Sequence, residues 1–301
     1  MSTITCPAKL NLTLAVGPRR PDGYHDLESL VVPITLCDEL SFEPRDPDPR
    51  VPRFTLTCDD PTIPVDATNL VLRAATALDA ALSEPRPLGG VLRRDPARSL
   101  LFGGHFTLKK RIPAGAGLGG GSSNAAGALK LLAQEAVYSP SALELHAIAA
   151  RIGSDVPLFL ADSPVIMRGR GEQLTAVRLP GGGFAVVVLP QIHCSTAAVY
   201  AAFDALPPPP ARPRINDVLA RAKSLEDLMP LGFNDLVEPA FRVAPPLREL
   251  HHQLQQFAPF RLTGSGSALF TLVGNRPRAT DLAARVRSAL SVRVEPAALF
   301  P

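Results

Sequence analysis

A glycine-rich segment runs directly into a helix-forming segment at residues 113–132, PAGAGLGGGSSNAAGALKLL. Five of the seven residues from Gly115 to Gly121 are glycines. Glycine lets the backbone adopt positive φ and approach a ligand closely, and a helix N-terminus presents free N–H groups with a partial positive charge. The polar residues 122–124 that follow can add hydrogen bonds or cap the helix. This order of features predicts a phosphate-binding loop; a flexible glycine linker is the competing interpretation, and it does not explain the helix.

Two widespread phosphate loops fit this segment poorly. The Walker A pattern, GxxxxGK[ST], is matched by Gly115, Gly120 and Ser122, but Gly121 stands where that loop needs its phosphate-binding lysine. The dinucleotide-binding pattern, GxGxxG, is matched by Gly115, Gly117 and Gly120. Its context is missing, because the preceding strand ends in Lys-Lys-Arg-Ile-Pro and no βα unit with an acidic ribose ligand follows.

Composition excludes several classes of protein. The 301 residues carry a net charge of only +3, and there is no Trp and only three Tyr, which argues against a dedicated nucleic-acid binder. No apolar run approaches the ~20 residues of a membrane span, and the N-terminus shows no signal-peptide pattern. The four cysteines lack zinc or redox spacing. We therefore expect buried, reduced thiols in a cytoplasmic protein.

The patterning alternates between strand and helix signals and predicts an α+β fold. AKLNLTLAVG at 8–17 alternates like a strand, and HFTLKKRIP at 105–113 is a second strand before the glycine loop. We predict a helix over 68–82 with Thr68 as its N-cap, a second over about 124–136, and a third from an N-cap at Ser139 to a stop at Gly153. RLTGSGSALFTLVG at 261–274 is a strand, glycine turn and strand.

Three segments resemble motifs of the GHMP kinase superfamily. They are PAKLNLTL at 7–14, the loop from Pro113 to Ala125, and LTGSGSALF at 262–270. The resemblance implies a two-domain fold, with a ribosomal-protein-S5-domain-2-like domain over 1–170, a ferredoxin-like domain over 171–301, and the active site in the cleft between them. Ala116 and the Ser-Gly-Ser at 265–267 depart from the commonest residues there, and both departures are compatible with the same backbone.

Two further segments narrow the resemblance. RRPDGYHDLESL at 19–30 and GSDVPLFL at 153–160 are similar to the kinases of 4-diphosphocytidyl-2-C-methyl-D-erythritol (CDP-methylerythritol) in non-mevalonate isoprenoid biosynthesis. The resemblance implies two small-molecule substrates, ATP with Mg²⁺ and CDP-methylerythritol, no nucleic-acid or membrane partner, and a monomer or weak homodimer. The alternatives are another GHMP kinase, of homoserine or mevalonate type, and a nucleotide-binding sensor that has lost turnover.

The resemblance assigns the catalytic roles to Lys9 and Asp155. Asp155 would accept the proton of the alcohol, and Lys9 would stabilise the developing negative charge. Taken alone, Asp155 reads as a helix N-cap and Lys9 as a solvated strand lysine. Their joint presence favours an enzyme over a sensor.

The resemblance also implies the two binding sites. Asn11 would orient the hydroxyl groups of the substrate, Tyr24 and His25 would hold the cytosine, and Tyr200 would stack on it, an interface tyrosine being the alternative. Gly264 and Gly266 would support the phosphate loop. No protein ligand of Mg²⁺ is identified, and the loop serines are the nearest candidates. The residues implied at ATP are Asn69, Lys110, Pro113, Ala114, Gly115, Ala116, Gly117, Leu118, Gly119, Gly120, Gly121, Ser122 and Ser123.

Overall fold

The computed structural model describes residues 1–84, 86–88, 91–93, 100–161 and 163–300. Its strands are β1 Ser2–Asn11, β2 Ala15–Arg19, β3 His25–Arg45, β4 Phe54–Cys58, β5 Arg86–Leu88, β6 Val91–Arg93, β7 Gly103–Lys109, β8 Val165–Gly169, β9 Gln173–Ala176, β10 Phe184–Leu189, β11 Arg261–Leu262, β12 Leu269–Val273 and β13 Arg293–Ala298. Its α-helices are α1 Leu70–Ser83, α2 Gly120–Glu135, α3 Ala142–Ile152, α4 Thr196–Asp204, α5 Ile215–Arg221, α6 Leu228–Leu231, α7 Val237–Val243, α8 Pro245–Leu254 and α9 Arg276–Leu290.

The chain divides into two compact units. Unit one comprises Met1–Pro7, Cys37–Arg111 and Gly120–Ala161, and unit two comprises Ala8–Leu36, Ile112–Gly119 and Asp162–Pro301. The strands β1 and β3 each contribute residues to both units. The sequence-based division into domains 1–170 and 171–301 is not tested by these units and stays a prediction.

Unit one packs three helices with a small sheet. The second half of β3 pairs antiparallel with β7, and β4 pairs parallel with the other edge of β7. The helices α1, α2 and α3 pack against one another. Phe42 and Phe106 are fully buried side chains whose ring centroids lie 4.6 Å apart. These aromatic rings anchor the strand that leads into the glycine loop.

The three helices predicted in this unit exist, but each begins at a residue other than the one predicted. The helix α2 begins at Gly120 rather than near 124, because the N–H groups of a first turn need no intrahelical partner and glycine and serine are tolerated there. The helix α3 begins after Ser141 rather than Ser139. Ser141 and Glu144 bond reciprocally in a capping box, which satisfies two donors at once. Its predicted stop at Gly153 is confirmed.

Unit two holds a four-stranded antiparallel sheet in the order β11-β12-β10-β13. The helix α9 packs on β10, β12 and β13, and α4 packs on α7. In the same unit the first half of β3 pairs with β2 and with β8, and β9 pairs with β8. Helices and mostly antiparallel strands are mixed along the chain, so the predicted α+β class is confirmed.

The expectation for the cysteines is partly confirmed. All four are free thiols, and Cys6 and Cys194 are buried, whereas Cys37 and Cys58 are half-buried. Burial raises the pKa of the Cys6 thiol to about 12. Within the described residues, no helix is long and apolar enough to cross a membrane.

Replacing Gly232 by Ala is expected to destabilise unit two. A Cβ there would overlap the Arg261 guanidinium and lie 2.5 Å from the Leu12 carbonyl oxygen. Arg261 is half-buried and donates to that carbonyl oxygen at 3.0 Å, and desolvation lowers its pKa to about 10. Overpacking of this kind costs about 1–3 kcal/mol. Urea unfolding of Gly232→Ala should show a lower midpoint than Gly182→Ala, whose Cβ meets nothing within 4 Å; equal midpoints would contradict this packing.

Candidate active site

The polar side chains of β1 are buried, not solvated. Lys9 is 5% exposed and Asn11 is 2% exposed, although both alternate with the buried Leu10 on the other strand face. The Lys9 ammonium donates to Asn11 Oδ1, and Asn11 Nδ2 donates to Ser29 Oγ at 2.8 Å. A lysine held this way in the interior is not the solvated strand lysine that the sequence alone allows.

Backbone hydrogen bonds join β1 and the C-terminal glycine turn to the glycine loop. The Lys9 N–H donates to the Leu118 carbonyl at 3.0 Å, and the Ala268 N–H donates to the Ala116 carbonyl at 3.1 Å. All four residues belong to unit two. Ala116 and Leu118 of the loop are therefore hydrogen-bonded to the other two motif segments, 262–270 and 7–14.

The glycines at this junction are sterically required. Gly117 has a φ of +75°, and a Cβ there would overlap the Thr263 carbonyl oxygen. Gly264 has a φ of +56°, and its Cβ would lie 3.1 Å from the Gly117 carbonyl oxygen and 3.3 Å from Lys9 Nζ. Gly266 also has positive φ, and its backbone lies beside Gly117. Backbone thus packs on backbone next to the Lys9 ammonium.

The first turn of α2 carries the last residues of the predicted phosphate loop. Ser123 is 1% exposed, and among the described residues its Oγ has no hydrogen-bond partner. Buried hydroxyls are nearly always bonded. The N–H groups of a first helical turn also lack intrahelical partners. A buried hydroxyl without a partner in that turn therefore suits an anionic ligand or its metal ion.

Asp155 lies in unit one, in the turn between α3 and a short 3-10 helix at Pro157–Leu160, and is half-buried. The N-cap of that helix is Val156, and no side chain caps it. The interpretation of Asp155 as a helix N-cap is therefore wrong. Asp155 instead lies one residue before the N-cap.

Asn69 has a structural role that the sequence assigned to its neighbour. Thr68 looks like the N-cap of α1, but Asn69 occupies that position, and its Oδ1 accepts from the Val71 N–H at 2.9 Å. Its Nδ2 donates to the Pro64 carbonyl at 2.6 Å. Thr68 instead donates to the Asp66 carboxylate. The predicted position of Asn69 near adenine stays a prediction.

Two of the predicted cytosine residues, His25 and Tyr200, form an aromatic cluster with Phe203 in unit two. The ring centroids of His25 and Tyr200 lie 5.3 Å apart, and Phe203 meets the His25 ring edge-on at 5.6 Å. The buried His25 ring is fixed by Gly17, whose carbonyl oxygen lies 2.8 Å from Nδ1, and by Asp204, whose carboxylate lies 3.3 Å from Nε2. The imidazole is therefore held rigidly from both nitrogens.

Tyr24 differs from His25 in being open to solvent. Its side chain is 52% exposed, and the guanidinium of Arg170 lies 5.1 Å from the ring centroid. The Tyr24 N–H donates to the Asp22 carboxylate, which fixes the turn and lowers the pKa of Asp22. Asp22, Tyr24 and His25 thus form a turn that exposes one aromatic ring and buries the next.

Comparison with known proteins decides the family. The GHMP kinases N terminal domain matches residues 69–166, and the GHMP kinases C terminal domain matches residues 216–292. A 4-diphosphocytidyl-2-C-methyl-D-erythritol kinase from Granulibacter bethesdensis is 38% identical over 286 residues, which cover 92% of this chain and 87% of that relative. The chain belongs to the 4-diphosphocytidyl-2-C-methyl-D-erythritol kinase family.

Solved structures agree with membership of this kinase family. A crystal structure of 4-(cytidine 5'-diphospho)-2C-methyl-D-erythritol kinase matches with a TM-score of 0.76 and 34% identity and covers all of both chains. A mevalonate kinase structure matches with a TM-score of 0.68 at 14% identity, over 99% of each chain, and shows the shared fold alone. The predicted GHMP kinase fold is thereby confirmed.

The sequence did not indicate two residues that contact predicted site residues in the structure. Arg170 covers Tyr24 from the turn between β8 and β9. Asp38 is a buried acid that pairs with Lys110. The only available signal for Asp38 is its place beside Glu39 in an acidic pair that interrupts the mostly apolar run ITLCDELSF, and nothing in the sequence marks Arg170.

Proposed function

We propose that this chain transfers the γ-phosphoryl group of ATP to the 2-hydroxyl of CDP-methylerythritol, a step of isoprenoid precursor biosynthesis. The observation that carries the proposal is the full-length match to a kinase of that name at 34% identity. The buried Lys9 beside the glycine loop supports catalysis rather than binding alone. Incubation with Mg-ATP and CDP-methylerythritol tests it, with mass spectrometry for the added phosphate and ³¹P NMR for its position.

The proposed chemistry places one proton transfer on Asp155. Its carboxylate accepts the proton of the 2-hydroxyl as that oxygen attacks the γ-phosphorus and the bond to ADP breaks. The Lys9 ammonium stabilises the negative charge that develops on the transferring group. Asn11 holds Lys9 in place, because its Oδ1 accepts from the ammonium. Buried, pre-oriented groups of this kind need no reorganisation during the reaction.

The proposed ATP site uses the glycine loop and the first turn of α2. The N–H groups of that turn and the orphaned Ser123 hydroxyl fit phosphate oxygens or a hydrated metal ion. Magnesium bound to the phosphates would neutralise their charge. Among the described residues no cluster of three His, Cys, Asp or Glu side chains offers a metal site. Ser122 and Ser123 are therefore the proposed protein contacts of an ion held mainly by ATP itself.

The proposed cytosine site uses Tyr24, His25 and Tyr200. The exposed Tyr24 ring offers one face for stacking on a base. Both nitrogens of the His25 ring are already bound to Gly17 and Asp204, so the backbone beside the ring supplies the polar groups for the base edge. Tyr200 packs against His25 and is partly buried. The Tyr200 ring is therefore already held in place for its proposed contact with the base.

Replacing Tyr24 by Ala is expected to raise KM for CDP-methylerythritol about tenfold and to leave KM for ATP within twofold. The reason is loss of base–aromatic stacking, which contributes about 1–3 kcal/mol. Steady-state kinetics with each substrate varied in turn would measure both constants. Tyr24→Phe keeps the ring and should resemble wild type. Tyr138→Phe, in the segment between α2 and α3, should also resemble wild type. Equal rises in both KM values would contradict the assignment.

We also infer a cytoplasmic monomer or weak homodimer. The free cysteines suit a reducing compartment. Sedimentation velocity over a hundredfold range of protein concentration would distinguish a monomer from a dimerising chain. A stable higher oligomer at the lowest concentration would contradict the inference.

A further inference from the structure

Asp38 is a buried carboxylate at the second half of β3, 1% exposed, and three donors converge on it. Its Oδ1 accepts from the Arg111 backbone N–H at 2.7 Å. Its Oδ2 accepts from the Lys110 ammonium and from Asn124 Nδ2, the latter at 2.9 Å. All of these residues lie in unit one. A buried charge is tolerated only when it is paired and hydrogen-bonded in this way.

The donors come from both sides of the glycine loop. Lys110 and Arg111 are the last residues before the segment Ile112–Gly119, and Asn124 lies in the second turn of α2, which begins at Gly120. One carboxylate thus binds the chain where it enters the loop and the helix into which the loop leads. Two fixed ends restrict the conformations open to the eight residues between them.

Asp38 also orients the Lys110 ammonium. The Lys110 side chain is only 7% exposed. Its Nζ donates to Asp38 and, at 3.3 Å, to Asn124 Oδ1. An ammonium has three N–H groups, and within the described part of the chain the third has no acceptor. The Lys110 N–H is separately bound to Asp59 Oδ1 at 2.8 Å. The result is a lysine with fixed backbone, fixed head group and one donor left for a ligand.

We propose that Asp38 is a positioning residue for the nucleotide: it holds Lys110 and both ends of the glycine loop in the arrangement that binds ATP. The inference rests on the proposed function, since it takes ATP as the ligand of that loop. Asp38 itself is buried behind Lys110 and does not contact the nucleotide. It acts through the direction of one ammonium and the spacing of two chain ends.

Asp38→Asn tests this role with almost no change in volume. We expect KM for ATP to rise about tenfold or more, because a hydrogen bond to a charged group is lost. The KM for CDP-methylerythritol should stay within about twofold, since the predicted cytosine residues Tyr24, His25 and Tyr200 belong to unit two and Asp38 belongs to unit one. Asp79→Asn is the matched control, because Asp79 is a half-buried acid of α1 whose ion pair is with Arg53 at 3.0 Å. It should leave KM for ATP unchanged.

A double variant separates positioning from general stability. If Asp38 acts through Lys110, adding Lys110→Met to Asp38→Asn should raise KM for ATP no further than the worse single variant. The proposal would be overturned if the two single substitutions raised KM for ATP independently, so that their fold-changes multiplied in the double variant. It would also be overturned if Asp38→Asn lowered the unfolding midpoint but left KM for ATP unchanged. If Asp38→Asn does not fold, Asn124→Ala is the alternative variant. It removes one hydrogen bond from Asp38 and one from Lys110, and it keeps the ion pair between those two residues. It should give a smaller rise in the same constant, and no rise would overturn the proposal.

A binding measurement keeps this inference distinct from the proposed function. Isothermal titration with a non-hydrolysable ATP analogue reports Kd without any alcohol substrate. A wild-type chain that binds the analogue but phosphorylates no alcohol would reject the proposed function. A Kd about tenfold weaker in Asp38→Asn would still support the role of Asp38, and an unchanged Kd would overturn it.

Discussion

Lys9→Met should lower kcat by ~10²- to 10⁴-fold, the usual contribution of a positioned acid–base group. Methionine retains most of the buried side-chain volume and removes the charge that stabilises the transferring phosphoryl group. The Kd for ATP should change little, because the variant keeps the loop backbone and the α2 N-terminus, which are the proposed phosphate contacts. Asp155→Asn should lower kcat to a similar extent, since the amide cannot accept the proton of the alcohol.

The control for Lys9→Met is Lys109→Met. Lys109 lies at the end of β7, is exposed, and pairs with Glu39 at 2.7 Å. Its loss should leave kcat near the wild-type value, because surface pairs contribute little. Single-turnover kinetics at saturating ATP would isolate the chemical step. If both Lys9→Met and Asp155→Asn retained more than a tenth of wild-type kcat, the catalytic assignment would be wrong.

Gly117→Ala should abolish nucleotide binding and destabilise the chain. The backbone at Gly117 has a φ of +75°, which costs a residue with a Cβ about 1–2 kcal/mol. The added Cβ would also overlap the Thr263 carbonyl oxygen, so the glycine turn at 264–266 must move away from the loop. The backbone bonds that join Lys9 and the turn to the loop would then be strained together.

Two measurements separate the effects of Gly117→Ala. Differential scanning calorimetry should show a lower Tm, and titration with an ATP analogue below that Tm should show at least a hundredfold weaker Kd. Gly182→Ala is the control, because its Cβ lies in open space and its φ is not in the left-handed region. Near-wild-type binding by Gly117→Ala would mean that the junction between loop and turn does not shape the site.

The sequence alone predicted the features that depend on local pattern. The glycine spacing predicted a loop followed by a helix. The alternation in AKLNLTLAVG predicted one strand over 8–17, whereas the structure divides that segment between the end of β1 and the start of β2. Helix boundaries were less accurate, because caps depend on which of several adjacent polar residues bonds the backbone. Ser141 and Asn69 cap their helices, whereas the sequence pattern pointed to Ser139 and Thr68.

Long-range contacts were beyond the local pattern. Asp38 lies more than 70 residues before Lys110 and Asn124. The pairing of β3 with β7 brings Asp38 to Lys110, and Asn124 reaches Asp38 from α2. The burial of Lys9 also depends on a distant segment, since the glycine turn at 264–266 packs on it. Motif resemblance supplied the predicted catalytic residues, Lys9 and Asp155, but it gave no information about the groups that hold them.

The most direct test of the proposed function is ADP release with Mg-ATP in the presence of CDP-methylerythritol, mevalonate, homoserine or galactose, each at the same concentration. The proposed function predicts a kcat/KM for CDP-methylerythritol at least a thousandfold above that for the others, and loss of that turnover in Lys9→Met. Preferred turnover of another alcohol, or none with any alcohol despite ATP binding, would contradict it.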